Sequence, residues 1–269
     1  MSRDARYGNA AEFLGLQFDR LDQDQAIQIL RRAPEARPFA YVVTPNVDHV
    51  VAVSRQNSTE AVKTAYREAD LTLCDSRILQ MLARWSELGL PLVTGSDLTV
   101  RLLRELQESG GGHVALIGGS EAMLTDLRRL YPALAWRQHI PPMGVRHDAS
   151  LQQEIVRFVE EGRADHVFFA IGAPQSELIC AMIAQRGAAT GWGLCIGASL
   201  EFATGTKKRA PRIMQQLSLE WLFRLGSEPR RLWRRYLVDG PKILPVWLQW
   251  RASRSRPPAG SAASRGDPS

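Results

Sequence analysis

The sequence predicts an α/β fold: a doubly wound, mainly parallel sheet flanked by helices, with a C-terminal helical appendage. Three observations carry that expectation. Apolar stretches of strand length recur at 13–18, 39–43, 71–74, 91–93, 113–117, 166–171 and 192–196, with helix-length intervals between them. Two of them, Val114-Ala115-Leu116-Ile117 and Val167-Phe168-Phe169-Ala170-Ile171, are apolar at consecutive positions, as strands are when helices cover both faces of a sheet. The rhythm stops near Gly205, beyond which basic, aromatic and leucine positions alternate and no further strand is indicated.

In chain order, polar caps ahead of periodic apolar positions mark helix starts: Asp22 before Ile27 and Leu30, Ser58 before Val62, Ser96-Asp97 before Leu102, and Ser120-Glu121 before Leu124. Further on, Leu225-Gly226-Ser227-Glu228-Pro229 reads as a helix stop and a new start, with Ser227 as N-cap and Pro229 in the first turn. Two short helices are expected there. The chain therefore divides into an α/β domain over 1–205, a basic, Trp-rich helical appendage over 206–251, and a tail over 252–269 with too little apolar bulk to order.

At 269 residues, 45% hydrophobic and 23% charged, the chain has the size and composition of a globular protein with a substantial core. The longest apolar run, 243–250, is far shorter than a membrane span, and the first residues lack the pattern of a secretory leader. A cytoplasmic location is expected. Cys74, Cys180 and Cys195 each sit in an apolar run and read as reduced core thiols. The five histidines lack ligand spacing, so no metal and no cofactor is expected.

The net charge of +6 is uneven: residues 207–269 hold 14 Lys/Arg against 4 Asp/Glu, leaving −4 for residues 1–206. A basic end points to an anionic partner. Trp221, Trp233, Trp247 and Trp250 lie among these cations, which suits an anionic membrane surface, where each Lys or Arg contributes roughly 1 kcal/mol. The alternative is that Trp221 and Leu225 pack on the main domain while the charges are solvated. No nucleic-acid fold accompanies the charge, so no nucleic-acid partner is expected; a homo-oligomer is compatible with the sequence.

Open sheets bind ligands beyond the carboxyl ends of their strands, so polar residues just after strands are the candidates for chemistry. Thr44-Pro45-Asn46-Val47-Asp48-His49 supplies hydroxyl, amide and carboxylate groups there, although Thr44 or Asn46 equally reads as a helix cap. Asp75 follows a short buried strand, where a carboxylate can take a proton from a substrate hydroxyl or cap a helix. Gly118-Gly119-Ser120 joins strand to helix and can offer backbone amides to phosphate, without the full three-glycine dinucleotide spacing. Gly172-Ala173-Pro174-Gln175-Ser176-Glu177 makes a similar join, which turn geometry alone also explains.

Together these segments resemble the WecG/TagA/CpsF glycosyltransferase family over about residues 12 to 240. The match runs through Thr44-Pro45-Asn46, Ala69-Asp70 to Asp75, Gly95-Ser96-Asp97-Leu98, Ala115-Leu116-Ile117-Gly118-Gly119, and Gly172-Ala173-Pro174 with Glu177. It continues in Gly197-Ala198 to Gly205, Lys208-Arg209-Ala210-Pro211, Leu219-Glu220-Trp221-Leu222-Phe223-Arg224-Leu225, and Glu228-Pro229-Arg230-Arg231-Leu232 with Arg235-Tyr236. The resemblance implies an inverting, metal-independent hexosyl- or N-acetylhexosaminyl-type transfer. The donor is a UDP-sugar and the acceptor a polyprenyl-diphosphate-linked saccharide, in exopolysaccharide, surface-antigen or teichoic-acid synthesis. The enzyme is implied to be peripheral on the inner face of the cell membrane.

The family's proposed base falls on Asp75, with Thr44 and Asn46 near the reaction centre. Substrate contacts are implied for Arg77, Gly118, Gly119, Gly172, Pro174, Gln175 and Glu177, and, from an appendage that closes over the site, for Arg224, Arg231 and Arg234 at the diphosphate. The sequence departs from the family pattern at three places. Ser76 follows the base in place of glycine, Ser176 stands at a glutamine position with Gln175 beside it, and Leu92 replaces an arginine for which Arg77 could compensate. A non-catalytic, membrane-docked module that binds lipid-linked sugar is the alternative, and Asp75 together with the full appendage favours catalysis.

Overall fold

The computed structural model describes residues 10–35, 37–207, 210, 211, 214 and 219–254, with the side chains of residues 220 and 231 excepted. The chain opens with an antiparallel hairpin, β1 (Ala10–Phe13) and β2 (Leu16–Asp19), in place of the single strand expected over 13–18. Leu14 and Gly15 turn it, both at positive φ (56° and 81°), the geometry of a tight two-residue hairpin turn.

The main sheet has six parallel strands in the order β4-β3-β8-β7-β5-β6. They are β3 (Phe39–Val43), β4 (Leu71–Thr72), β5 (Gly112–Gly118), β6 (Leu134–His139), β7 (His166–Ala170) and β8 (Gly191–Cys195). Alternate residues of β3 enter different clusters, Phe39, Tyr41 and Val43 one and Ala40 and Val42 the other, so both faces of the sheet are covered. That is the doubly wound arrangement the consecutive apolar runs require.

Two strand assignments change. The stretch at 91–93 contributes only an isolated bridge, Cys74 to Leu92, and the Val93 N–H donates to the Cys74 carbonyl (3.0 Å). Pro91 has no N–H with which to extend the ladder. Conversely β6 lies at the sheet edge, where Leu134 and Trp136 are buried and Ala135 and Arg137 exposed, so it has no continuous apolar run to betray it.

The helices of the sheet domain are α1 (Gln23–Leu30), α2 (Val47–Ser54), α3 (Glu60–Arg67), α4 (Arg77–Arg84), α5 (Gly95–Glu108), α6 (Glu121–Leu130), α7 (Ala149–Gly162), α8 (Gln175–Arg186) and the short α9 (Ser199–Ala203). Asp22 and Ser120 cap α1 and α6 as expected, while Thr59 and Thr94, each close to the serine expected, cap α3 and α5. Cys74, Cys180 and Cys195 are buried free thiols.

The appendage comprises α10 (Glu220–Ser227), α11 (Pro229–Trp233), a π-helical stretch (Arg234–Asp239), a 3-10 turn (Gly240–Lys242) and α12 (Ile243–Arg254). Ser227 is not the N-cap: its hydroxyl donates back to the Phe223 carbonyl (3.0 Å), and Glu228 takes the cap position before Pro229. The last helix runs to Arg254, into the stretch expected to be unordered; residues 255–269 of that tail lie outside the described residues.

Two tryptophans assigned to a membrane layer instead fasten α12 to the sheet domain. Trp247 is 9% exposed and its Nε1 donates to Ser86 Oγ (2.8 Å). Trp250 stands edge-on to Phe13 (5.0 Å between centroids) and donates to the Glu12 carboxylate (2.9 and 3.0 Å). Trp221 packs near Tyr236 within the appendage (6.1 Å), while Trp233 is exposed. No helix among the described residues is long and apolar enough to cross a membrane.

Candidate active site

Thr44, Asp75, Gly118, Gly172 and Gly197 lie within a few residues of the carboxyl ends of β3, β4, β5, β7 and β8, so the parallel sheet delivers them to one edge. From β5 the chain moves outward to β6, whereas from β7 it moves back to β8, which makes the β5–β7 boundary a topological switch point.

The tightest convergence surrounds Gly95, the first residue of α5. A methyl group placed there would sit 3.0 Å from Thr44 Oγ1, 3.2 Å from Ser199 Oγ and 3.5 Å from Asp75 Oδ2. Two hydroxyls and a carboxylate therefore meet at the amino end of a 14-residue helix, the end that favours negative charge. Thr44 and Ser199 are buried, and their hydroxyls reach the carbonyls of Cys195 (3.4 Å) and Ile196 (2.6 Å) at the end of β8. The Asp75 N–H donates to the Pro45 carbonyl (3.1 Å), which ties the carboxylate's backbone to the Thr44-Pro45-Asn46 turn. Asn46 does cap α2, its Oδ1 accepting from the Asp48 N–H (3.0 Å), which commits the amide oxygen and not the amide nitrogen.

Behind this turn lies a buried cluster. His49 lies close to the Thr44 backbone, and burial, reinforced by the Arg235 charge, pushes the imidazole down to about 4. The Tyr66 ring lies 6.1 Å from His49, and the buried Tyr66 side chain lies near Glu177. Burial drives the Glu177 carboxyl up to about 7. Among the described residues, Glu177 Oε2 and His49 Nδ1 have no hydrogen-bond partner. Glu177 is thus enclosed with Tyr66 beneath the sheet edge.

The glycine turns form a second group. Gly118 (φ 89°) and Gly119 (φ 72°) need the left-handed region, and a methyl group at Gly118 would lie 2.8 Å from Ile171 and 3.0 Å from the Ala170 carbonyl. The β5–α6 and β7–α8 turns therefore touch at the switch point. Gln138 of β6 braces the first turn by donating to the Gly118 (2.9 Å) and Ser120 (3.2 Å) carbonyls. Gly172 and Pro174 shape the second turn, where the Ala173–Pro174 peptide is cis. Ser176 is buried and its hydroxyl donates to the Gly172 carbonyl (3.1 Å). Gln175 is half-buried, and with its amide in the orientation that satisfies both ends it accepts from Arg146 Nε (3.2 Å) and donates to the Ala173 carbonyl (3.3 Å).

The described arginines Arg77, Arg224 and Arg234 sit on three different elements. Arg224 lies over the Phe202 ring of α9 (5.1 Å), three residues from Ser199. Arg234 is exposed on the π-helical stretch, and Arg77 is exposed at the start of α4. The Arg231 side chain, like Lys208 and Arg209, lies outside the described residues. Arg235, within a matched segment but assigned no role in the sequence, bonds Asp48 directly. Ser199 and Gly95 were also assigned none: Ser199 follows Gly197-Ala198, and only the fold shows that both face Asp75. No three His, Cys, Asp or Glu side chains among the described residues converge as a metal site would need.

A doubly wound sheet whose carboxyl edge gathers a carboxylate, two hydroxyls and two glycine turns has the layout of an α/β enzyme acting on a small polar substrate. The sequence matches the model of the glycosyl transferase WecG/TagA/CpsF family over residues 11–257, and the chain belongs to that family. Two relatives from Staphylococcus aureus, strains MRSA252 and MW2, are each 26% identical over 257 residues, covering 91% of this chain and 93% of theirs. Both are named N-acetylglucosaminyldiphosphoundecaprenol N-acetyl-beta-D-mannosaminyltransferase.

Proposed function

We propose that the chain transfers an N-acetylhexosamine, N-acetylmannosamine by analogy with the staphylococcal relatives, from a UDP-sugar to N-acetylglucosamine on polyprenyl diphosphate. The product is an intermediate of a cell-envelope polysaccharide or teichoic acid. The reading is supported above all by Asp75, Thr44 and Ser199 meeting around Gly95 at the sheet edge of a glycosyltransferase-family chain.

In this mechanism the acceptor hydroxyl attacks the anomeric carbon opposite the bond to UDP, and the configuration inverts. Asp75 takes the hydroxyl proton as the new C–O bond forms. Thr44 and the free amide nitrogen of Asn46 orient the sugar hydroxyls beside it. The breaking bond leaves its electron pair on the UDP β-phosphate, and Arg224, Arg231 and Arg234, brought in as the appendage closes over the site, meet that charge with planar forks suited to phosphate. The glycine turns at the switch point lie where a diphosphate can approach backbone amides. Arg77, Gln175 and Glu177 complete the donor side, Glu177 from beneath.

Membrane attachment is assigned to the outer surface of the appendage. Trp233, Leu237, Val238, Leu244 and Leu248 are exposed there, 40% to 58%, among basic residues, a combination suited to an anionic leaflet. The deciding experiment measures UDP release and product mass with a panel of UDP-sugars and a short-chain, lipid-linked N-acetylglucosamine acceptor. Acceptor-dependent gain of one N-acetylhexosamine is expected, and its absence with every donor refutes the reading. Asp75→Asn should lower turnover by ~10²–10⁴-fold. Near-normal activity in that variant removes Asp75 as the base.

A further inference from the structure

Two ion pairs between the appendage and the sheet domain fall on the same helix, α2, whose N-cap is Asn46. Arg235 Nε donates to Asp48 Oδ2 in the first turn of α2, and Arg55, at its C-cap, donates to Asp239 Oδ1 (2.7 Å). Asp239 also accepts from Lys242 (2.6 Å). Arg235 and Asp239 are four residues apart within the π-helical stretch, close enough to address one neighbouring helix together. Stretches of π-helix are rare and mark places where a helix is distorted for a purpose.

Asp48 occupies the point where the Thr44–Asn46 turn is fixed. Its N–H is held by the Asn46 side chain (3.0 Å), and the next residue, His49, lies close to the Thr44 backbone. Its carboxyl is three-quarters buried, and burial works against its ionised form while the Arg235 guanidinium supports it. A carboxylate so placed is favoured by its cation, and removal of Arg235 leaves a partly desolvated charge without its partner.

We propose that Arg235 is a positioning residue for the transfer reaction: by holding Asp48 it fixes the turn that carries Thr44 and Asn46, so this wall of the site is in place only while the appendage is seated. The inference rests on the proposed function for its kinetic consequence. It differs from the role given to Arg224, Arg231 and Arg234, because Arg235 acts through Asp48 and touches no substrate.

The test combines kinetics on the soluble, short-chain acceptor with hydrogen–deuterium exchange on the full chain, using Arg235→Ala, Arg235→Lys, Asp48→Asn and the Arg235→Ala/Asp48→Asn double variant. Arg235→Ala should lower kcat by about tenfold or more, the scale of a misplaced reacting group, with the donor KM little changed. Arg235→Lys should recover part of the loss. The double variant should be no worse than the poorer single, because both remove one interaction. Exchange across residues 44–54 should quicken in Arg235→Ala while β5 and β7 keep their protection.

Unchanged kcat, a kcat loss without faster exchange, or losses that multiply in the double variant each overturn the proposal. A raised donor KM at normal kcat also overturns it, by making Arg235 a substrate ligand. If Arg235→Ala does not fold, Arg235→Lys and Asp48→Asn carry the same comparison. Exchange requires no substrate, so it decides the structural coupling even if every donor fails.

Discussion

Replacing Glu177 with glutamine should make the protein more stable, and increasingly so as pH rises. In the fold the Glu177 carboxyl is pushed up to about 7 by burial, whereas in the unfolded chain it titrates near its ordinary value of 4.5. Between those values the unfolded chain releases a proton that the fold retains, so folding is progressively penalised as pH rises through that window. Above it the penalty is on the order of 3 kcal/mol, taking 1.36 kcal/mol per unit. Glutamine keeps the shape without ionising. His49 has the opposite linkage: burial and Arg235 push it down to about 4 from an ordinary 6.5, so its contribution is full above 6.5 and is lost as pH falls toward 4. Over pH 4.5 to 6.5 the two slopes oppose each other in the wild type. Urea denaturation of wild type and Glu177→Gln at pH 4.5, 6 and 7.5 should give a stability difference near zero at first and on the order of 3 kcal/mol at the end. The variant alone should also gain stability from pH 4.5 to 6.5, exposing the His49 slope. A difference independent of pH, or a variant less stable than wild type at pH 7.5, refutes the buried-acid reasoning.

Gly95→Ala should keep the fold, since alanine favours the helix by about 0.5–1 kcal/mol while crowding costs about 1–3 kcal/mol. Turnover should nonetheless fall by about tenfold or more as the methyl group displaces Thr44 and Ser199; wild-type kcat would show that these hydroxyls lie outside the reaction. Alanine at Arg224 and at Arg234 should slow turnover of the soluble acceptor; if both variants match wild type there, the arginines serve only the membrane. Leu237→Ser with Leu248→Ser should release the protein from anionic liposomes without lowering turnover of the soluble acceptor, and unchanged sedimentation with liposomes would place the attachment elsewhere.

The inner strands were legible because they are buried on both faces and so spelled in consecutive apolar residues. Phe39–Val43 is strand β3 to the residue. Edge strand β6 was hidden by its polar alternation, and the opening hairpin by apolar residues running through a turn in which Leu14 itself adopts positive φ. Thr44, Asp75 and the glycine turns were readable from position after strands. Ser199 and Gly95 were not, because their relation to Asp75 arises from packing α9 against α5 across a long sequence separation. Trp247 and Trp250 were misread for a related reason: amphipathic rings among cations look alike in sequence whether they face lipid or a polar acceptor on the protein. Trp247 and Trp250 have such acceptors in Ser86 and Glu12.

Those anchors also divide the appendage energetically. At its far end Trp247 is nearly enclosed, with Ile243 beside it in the main core, and burial of one such ring is worth on the order of 4 kcal/mol. Nearer the site, Leu232 of α11 is buried, and α10, α11 and the π-helical stretch are otherwise held by cation–ring stacking and ion pairs: Arg224 on Phe202, Lys207 between Glu201 and Glu228, Arg235 on Asp48 and Arg55 on Asp239. Part-exposed pairs contribute about 0–1 kcal/mol each and weaken with salt. The stretch over the site is therefore held by contacts that local charge can loosen, while α12 stays fixed on the β1–β2 hairpin. On the proposed function, an arriving diphosphate would compete with the Phe202 ring for Arg224. Through Arg224 the seating of the appendage would then be linked to substrate binding, with the apolar anchor keeping the segment from leaving.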